Sequence, residues 1–198
     1  MTLVVLAGGQ SRRMGRDKAL LPVGPSTLLN ATIGPLVELF DEILIGVSLG
    51  QRILHPPGRL VEDEVAGQGP LRGILTGLRA ARNEACFVLA CDMPGLPASV
   101  ARKIARASKD AEIAIAVSVR TLKEPLLGIY KKSVIPVIES LLAGGKRSIL
   151  DLFDRVPTTE VRLASEDIPP NINTPAEYAA LIGNDRRSPT SSKPKKKR

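Results

Sequence analysis

Five short runs of uninterrupted apolar residues constrain the fold of this chain more than any other feature. They occupy residues 3–7, 43–47, 86–90, 113–117 and 126–130. A strand with one face in water alternates apolar and polar residues, whereas a strand covered on both faces is apolar throughout. Amphipathic helical patterns lie between and after these runs, at residues 26–40, 70–82, 97–107 and 134–142. The alternation therefore predicts an α/β fold with a doubly wound, mostly parallel sheet and helices on both faces.

The composition predicts one domain followed by a basic tail. The chain has 198 residues, of which 43% are apolar and only 3% aromatic, so aliphatic side chains must fill the core. Residues 184–198 carry seven Lys or Arg and one Asp, which accounts for most of the net charge of +8. We expect a domain over residues 1–183 and a disordered tail over 184–198 that cannot bury apolar surface. Because the domain itself is nearly balanced in charge, nucleic-acid binding is not favoured.

The cysteines and the absence of targeting signals favour a cytoplasmic protein. Cys86 and Cys91 lie within or beside one apolar run, and their spacing fits neither a CxxC pair nor a disulfide framework. With a single histidine, His55, the chain lacks the ligands of a convincing zinc site. It shows no signal-peptide pattern and no apolar stretch of about 18 residues, so we expect no membrane segment.

The loop after the first apolar run combines two glycines with a cluster of cations. In the stretch LAGGQSRRMGRDK, Gly8 and Gly9 are followed by Arg12, Arg13, Arg16 and Lys18. Parallel sheets bind ligands beyond the carboxyl ends of their strands, and glycine amides can approach an anion closely. The sequence matches neither GxxxxGK[ST] nor GxGxxG. Crowded cations need a compensating anion, so the loop suits a phosphate chain; an ordinary basic surface loop is the alternative.

Two acidic residues, Asp92 and Asp63, are candidates for contacts with a nucleotide or its metal ion. Asp92, in the stretch CDMP, ends a buried run and precedes a proline, so it could hold Mg²⁺ against phosphates or serve only as a turn residue. Asp63, in EDEVAGQGPLRGI, could accept hydrogen bonds from a base or ribose, or be solvated. Gly73 and Gly77 leave one face of the following helix bare, against which a flat ring or a neighbouring helix could pack.

The stretch NINTPAEY predicts a helix start with two polar residues before it. Thr174 and Glu177 form a capping box, with Pro175 at the first helical position. That arrangement leaves Asn171 and Asn173 near a helix N-terminus, where an anionic ligand could bind.

The stretches LAGGQSRRMGRDK, GQGPLRGI, CDMP and NINTP, in this order and spacing, resemble the molybdenum cofactor guanylyltransferases of the MobA-like nucleotidyltransferase family. The resemblance runs from residue 3 to about 181. It implies a Rossmann-like sheet of about seven strands with one antiparallel strand. It also implies GTP-binding residues, which are Leu6, Ala7, Gly8, Gly9, Lys18, Asp63 and Asp92. Asp92 would also bind the metal, and Asn173 would face the acceptor. Family members often carry Asn at the end of the second strand, where this chain has IGVSLG, so that contact is left unassigned.

The implied reaction transfers GMP from GTP to the terminal phosphate of molybdenum-molybdopterin, with Mg²⁺ as cofactor and molybdenum-cofactor proteins as candidate partners. The acceptor is a phosphate monoester with a second pKa of about 6, so it needs no general base at neutral pH. We expect Lys18, Arg13, Mg²⁺ on Asp92 and the Gly8 and Gly9 amides to offset the negative charge.

Other functions stay open on the sequence. The same chemistry could act on another acceptor, by cytidylyl transfer to molybdopterin or by transfer to another cofactor precursor or a sugar phosphate, because acceptor pockets are built from variable loops. A non-catalytic GTP-binding protein that delivers cofactor is a second alternative. A nucleic-acid binder that uses the basic tail is the third.

Overall fold

The computed structural model of the protein describes residues 1–8, 17–65, 67–119 and 122–185. Its strands are β1 (Thr2–Leu6), β2 (Pro22–Val23), β3 (Ser26–Thr27), β4 (Glu42–Val47), β5 (Arg59–Glu62), β6 (Ala85–Ala90), β7 (Ile113–Ser118), β8 (Lys123–Lys131) and β9 (Thr158–Leu163). Its α-helices are α1 (Leu28–Ile33), α2 (Gly69–Ala80), α3 (Ala98–Ala107), α4 (Ile135–Ala143), α5 (Ile149–Phe153) and α6 (Pro175–Asp185). Short 3₁₀ turns cover Lys18–Leu20, Gly34–Leu39, Lys132–Val134 and Ser165–Asp167.

Within the described residues, the main sheet has seven strands in the order β5-β4-β1-β6-β8-β7-β9. Strand β8 runs antiparallel to both of its neighbours, β6 and β7, whereas the other pairings are parallel. Strands β2 and β3 form a separate antiparallel pair. The predicted α/β fold, with about seven strands of which one is antiparallel, is therefore confirmed.

The sheet has a hydrophobic core on each face. In β1, Leu3 and Val5 pack into one core with α3, whereas Val4 and Leu6 pack into the other core with α2 and α4. Successive residues of a strand point to opposite faces, so a strand without polar residues must be covered on both sides. Helices lie on both faces, as the uninterrupted apolar runs predict.

Helix α2 packs its glycine face directly on β1. A Cβ atom added at Gly77 would lie 2.5 Å from Cγ1 of Val4, and one at Gly73 would lie 3.2 Å from Cδ2 of Leu6. The expectation that a neighbouring helix packs on this face is wrong, because a strand of the sheet occupies it. Gly73 also borders the open space at the carboxyl end of β1, so the packing of a flat ring there stays a prediction. The close approach brings the N-terminus of α2 beside the carboxyl end of β1.

The other predicted helices follow the sequence patterns, with one interruption. The helix expected over residues 26–40 divides into α1 and the 3₁₀ turn Gly34–Leu39, because Pro35 cannot donate a helical hydrogen bond. The capping box of α6 is confirmed: Oγ1 of Thr174 accepts from the Glu177 N–H at 3.2 Å.

The last described helix ends at Asp185, two residues beyond the predicted domain end, and residues 186–198 lie outside the described residues. The division of the chain into a domain and a tail stays a prediction. Among the residues that the structure describes, no helix is long and apolar enough to cross a membrane.

Candidate functional site

A cleft of about 510 Å³ opens at the carboxyl ends of β1, β4 and β6. Parallel sheets bind ligands at this end of their strands, since loops that lead to opposite faces of the sheet diverge there. The cleft is lined by the predicted GTP-binding residues that the structure describes: Leu6, Ala7, Gly8, Lys18, Asp63 and Asp92. Two further predicted residues, Gly9 and Arg13, lie outside the described residues. The fold thus brings the described predicted residues to one place, while their roles stay predictions.

Two side chains that line the cleft, those of Lys18 and Asp92, meet a third side chain from a distant motif, that of Asn173. Nζ of Lys18 donates to Oδ2 of Asp92 at 3.0 Å and to Oδ1 of Asn173 at 2.7 Å. The Lys18 side chain is 17% exposed and that of Asp92 is 16% exposed, so the ion pair is largely shielded from water. We refer to these residues as the Lys18–Asp92–Asn173 cluster.

The strand order and a buried anchor fix the position of Asp92. It follows β6, the middle strand of the sheet, and the preceding residue donates its N–H to the carbonyl of Leu6 at 3.1 Å. The carbonyl of Asp92 accepts the N–H of Ile172 at 2.9 Å. Because the Ile172 side chain is buried with Leu21 and Leu28, the segment before α6 is held against the end of β6.

The capping box of α6 fixes the backbone of Asn173. Oε2 of Glu177 accepts the N–H groups of Asn173 and Thr174, at 2.7 and 2.8 Å. The hydrogen bond from the Asn173 N–H is the main reason that the pKa of Glu177 is lowered. The Asn173 side chain can therefore face Lys18 from a defined backbone position.

Gln51 connects the start of the Lys18 turn with the ends of two strands. Its Nε2 donates to Oδ2 of Asp17 at 2.7 Å and to the carbonyl of Ala7 at 3.1 Å, and its Oε1 accepts the Ser48 N–H at 2.9 Å. Asp17 in turn caps the 3₁₀ turn through the Ala19 N–H at 3.0 Å. A lone glutamine in a polar loop gives no sequence signal, so sequence reasoning missed it.

The small size of Gly8 allows two chain segments to approach closely at the cleft. A Cβ atom at Gly8 would lie 2.9 Å from the Ser48 backbone nitrogen, so the two chain segments could not approach as they do. The Gly8 N–H donates to the Gly46 carbonyl at 2.9 Å. The Gly8 amide thus has a backbone partner in this structure, and its expected part in offsetting phosphate charge stays a prediction. Gly46 and Ser48, at the end of β4, both line the cleft.

Asp63 presents a half-buried carboxylate to the cleft beside α2. Thr76 donates its hydroxyl to Oδ1 of Asp63 at 2.8 Å, and the Asp63 N–H donates to the Val47 carbonyl at 2.9 Å. Burial raises the pKa of Asp63, although the Thr76 hydrogen bond and the charge of Arg72 act in the opposite direction. A carboxylate that is partly desolvated and fixed in this way is suited to accept hydrogen bonds from a base or ribose.

A second carboxylate, that of Glu124, lies near Asp92. Strand β6 pairs antiparallel with β8, so the first residues of β8 lie at the end of the sheet where β6 finishes, and the charges of Glu124 and Asp92 interact. Burial raises the pKa of Glu124, a hydrogen bond from Asn171 lowers it, and the charge of Asp92 raises it further. Sequence reasoning missed Glu124. Because β8 runs antiparallel to β6, its first residues, rather than its last, lie at the carboxyl end of β6, and the sequence does not reveal that direction.

The cysteines do not supply a nucleophile. Both Cys86 and Cys91 are free and buried, and burial raises the pKa of each thiol to about 12. Because the thiolate is the reactive form, neither sulfur is activated at neutral pH.

The Lys18–Asp92–Asn173 cluster fits a hard divalent cation. The Asp92 carboxylate and the Asn173 amide carbonyl offer the oxygen ligands that Mg²⁺ prefers, and Lys18 already places a cation against both. Among the described residues, no group of three or more His, Cys, Asp or Glu could hold a metal ion. A site with few protein ligands suits Mg²⁺, which usually keeps waters and shares phosphate oxygens.

Comparisons with known proteins show which family the chain is similar to. The family model of the MobA-like NTP transferase domain matches residues 3–159. The protein of Carboxydothermus hydrogenoformans named "Probable molybdenum cofactor guanylyltransferase" is 36% identical over 190 residues, which cover 92% of this chain and 95% of that protein. A protein of the same name from Mycolicibacterium paratuberculosis is 35% identical over 183 residues, covering 90% of this chain and 93% of that protein.

A solved structure shows the same fold over nearly the whole chain. Molybdopterin-guanine dinucleotide biosynthesis protein A from Archaeoglobus fulgidus superposes with a TM-score of 0.76 and 23% identity, covering 94% of this chain and 100% of that one. The family model includes the stretches LAGGQSRRMGRDK, GQGPLRGI and CDMP, and the two relatives each cover at least 90% of the chain. The chain therefore belongs to the MobA-like NTP transferase family, in the group of the molybdenum cofactor guanylyltransferases.

Proposed function

We propose that the protein transfers GMP from GTP to the terminal phosphate of molybdenum-molybdopterin, forming the guanine dinucleotide cofactor and releasing pyrophosphate. One observation carries the proposal: Lys18 contacts both Asp92 and Asn173 at the mouth of the cleft. The first of these is expected to face the nucleotide and the second the acceptor. The names of the relatives, which are similar over most of the chain, support the same activity.

The nucleotide would lie along the cleft, with its base or ribose at Asp63 and its phosphates near Gly8 and Lys18. Both ends of this path line one cleft, which supports a ligand of nucleotide length. The half-buried carboxylate of Asp63 can accept the N–H groups on the guanine edge or a ribose hydroxyl. We include Gly9 and Arg13 in the proposed phosphate site on the resemblance alone.

The chemistry needs charge compensation more than proton transfer. A phosphate oxygen of the acceptor forms the new bond to the α-phosphorus, and the bond to pyrophosphate breaks. With a second pKa of about 6, the acceptor is mostly a dianion at neutral pH and already carries its nucleophile. Lys18 would offset part of the negative charge of the two substrates.

We propose Mg²⁺ as the divalent cation, held by Asp92 and Asn173. When bound, it would supply Lewis-acid stabilisation of the phosphate charge. The protein residues would hold the two oxygen ligands in place, through the hydrogen bond from Ile172 to Asp92 and the cap on Asn173. Molybdenum-cofactor proteins are the proposed partners, and the two free cysteines support a cytoplasmic location.

The activity is tested by measuring pyrophosphate release with each of the four nucleoside triphosphates and a molybdopterin acceptor. We expect GTP to exceed the other three by about 100-fold, because a wrong base leaves buried polar groups unpaired. A preference for CTP would instead indicate cytidylyl transfer. Bound GTP without turnover would indicate a cofactor-delivery protein, and turnover without the pterin acceptor but with a sugar phosphate would change the acceptor class.

A further inference from the structure

We propose that Lys18 is the resident cation of the metal site, and that a divalent cation enters only together with a nucleotide. This inference rests on the proposed function, which makes Asp92 and Asn173 the metal ligands.

The distances show that one ammonium group occupies both oxygen ligands. Nζ of Lys18 lies 3.0 Å from Oδ2 of Asp92 and 2.7 Å from Oδ1 of Asn173. A divalent ion bound to the same two oxygens would lie within a few ångströms of this ammonium. The side chains of Lys18 and Asp92 are only 17% and 16% exposed, so water screens the resulting repulsion poorly.

The arrangement allows Lys18 to leave while its partners stay in place. The Ile172 N–H holds the Asp92 carbonyl, and the Glu177 carboxylate holds the Asn173 N–H. The lysine ammonium, by contrast, ends a flexible four-carbon chain. Phosphate groups in the cleft would give this ammonium a new anionic partner, and the oxygens that it leaves would then be free for the metal.

A lysine that left without a replacement would leave surplus negative charge. Asp92 would lose its described cationic partner, and the charge of Glu124 acts on Asp92 from the neighbouring strand. Removing one member of a shielded ion pair leaves the other uncompensated. A variant without the Lys18 cation should therefore bind a divalent ion even when no nucleotide is present.

The test measures Mn²⁺ binding by electron paramagnetic resonance with the full-length protein and no nucleotide. We expect Lys18→Met to bind Mn²⁺ at least about tenfold more tightly than the wild type. Lys18→Arg, which keeps the charge, should bind as weakly as the wild type. Lys109→Met is the matched control, because it removes the same charge from an exposed site between α3 and the start of β7. That site lies at the end of the sheet opposite the cleft.

A second measurement guards against a folding defect in the variant. Melting temperatures with and without Mg²⁺ should show stabilisation of Lys18→Met and of Lys18→Gln but not of the wild type, because a ligand stabilises the state that it binds. Equal Mn²⁺ affinity of the wild type and Lys18→Met would overturn the inference alone. Tight binding that persists in the double variant Lys18→Met/Asp92→Asn would overturn it together with the proposed metal site.

Discussion

Lys18 is the residue at which the two halves of the proposed reaction meet. It lies 74 positions from Asp92 and 155 positions from Asn173 in the chain, yet it donates to both. The hydrogen bonds of Asp17 and Gln51 fix the backbone from which it extends. The Lys18 side chain can thus move while its attachment point is held.

At the residue scale, we predict that Thr76→Val weakens GTP binding and shifts its pH dependence. Loss of the Thr76 hydroxyl leaves Asp63 half-buried with one hydrogen bond fewer, which raises its pKa further. Because the carboxylate form is expected to accept hydrogen bonds from GTP, binding falls as the pH drops through this raised pKa. The acidic limb of kcat/KM for GTP should therefore move to higher pH, with a loss of about tenfold near that limb.

Thr158→Val is the matched control for this prediction, because Oγ1 of Thr158 donates to the Val156 carbonyl at 3.1 Å on the edge strand β9. It should leave the pH profile for GTP unchanged. A Thr76→Val enzyme with the wild-type profile would show that Asp63 does not contact the nucleotide.

At the element scale, the packing of α2 on β1 contributes both to the stability of the core and to the shape of the cleft. Its N-terminal residues line the cleft, while its glycine face lies on β1. The separation between this helix and the strand therefore sets the width of the proposed nucleotide site. A side chain at the contact would push the helix away from the sheet.

We predict that Gly77→Ala destabilises the protein by about 1–3 kcal/mol, which is typical of overpacking in a core. The new Cβ would lie 2.5 Å from Cγ1 of Val4, a stiff β-branched side chain in a buried strand. Urea unfolding measures the free energy change. Gly183→Ala in α6 is the control, because a Cβ there meets nothing within 4 Å, so that variant should be neutral or slightly stabilised. Equal stability of Gly77→Ala and the wild type would mean that α2 can shift without cost.

Element by element, burial decided what the sequence could predict. Strands β1, β6 and β7 are apolar except for Thr2 and Ser118 at their ends, because helices cover both faces, and each coincides with a predicted run within one residue at either end. The edge strands β5 and β9 mix charged and apolar residues and left no clear pattern.

Burial also decided which residues of the candidate site could be predicted from the sequence. Asp92 was predictable because it ends a buried strand beside a proline, whereas Gln51 and Glu124 act through contacts that only the folded chain creates. Gln51 joins segments 34 and 44 residues away, to Asp17 and Ala7. No local pattern specifies such a pairing.

At the scale of the whole molecule, the charged groups at the two ends of the strands differ in their partners. Glu42 lies at the end of the sheet opposite the cleft. Its carboxylate accepts hydrogen bonds from the Thr2 hydroxyl, from the Arg59 side chain and from the Arg82 backbone N–H, at 2.8 to 3.1 Å. This network joins β1, β4 and β5 with the end of α2 at their amino-terminal side. The end of the sheet at the cleft instead carries Asp63, Asp92 and Glu124, and we propose that the first two of these carboxylates meet the ligands.

We predict that deleting residues 186–198 leaves the melting temperature and turnover unchanged. The segment carries seven Lys or Arg and, apart from proline, no apolar residue, so it cannot extend a core. Differential scanning calorimetry and steady-state kinetics at moderate salt test the prediction. A lower melting temperature would show that the segment packs on the domain, and a salt-dependent loss of turnover would show that it attracts the anionic substrates.

The measurement that tests the account most directly is GMP transfer by Asp92→Asn as a function of Mg²⁺ concentration. The substitution keeps the size of the side chain but removes the charge that pairs with Lys18 and would hold the metal. If that charge organises the reaction centre, kcat should fall by about three orders of magnitude, since each ~1.4 kcal/mol corresponds to tenfold in rate. The Mg²⁺ concentration needed for half-maximal rate should rise, while the melting temperature changes little. A folded Asp92→Asn enzyme that transfers GMP at the wild-type rate with the wild-type Mg²⁺ dependence would contradict the account.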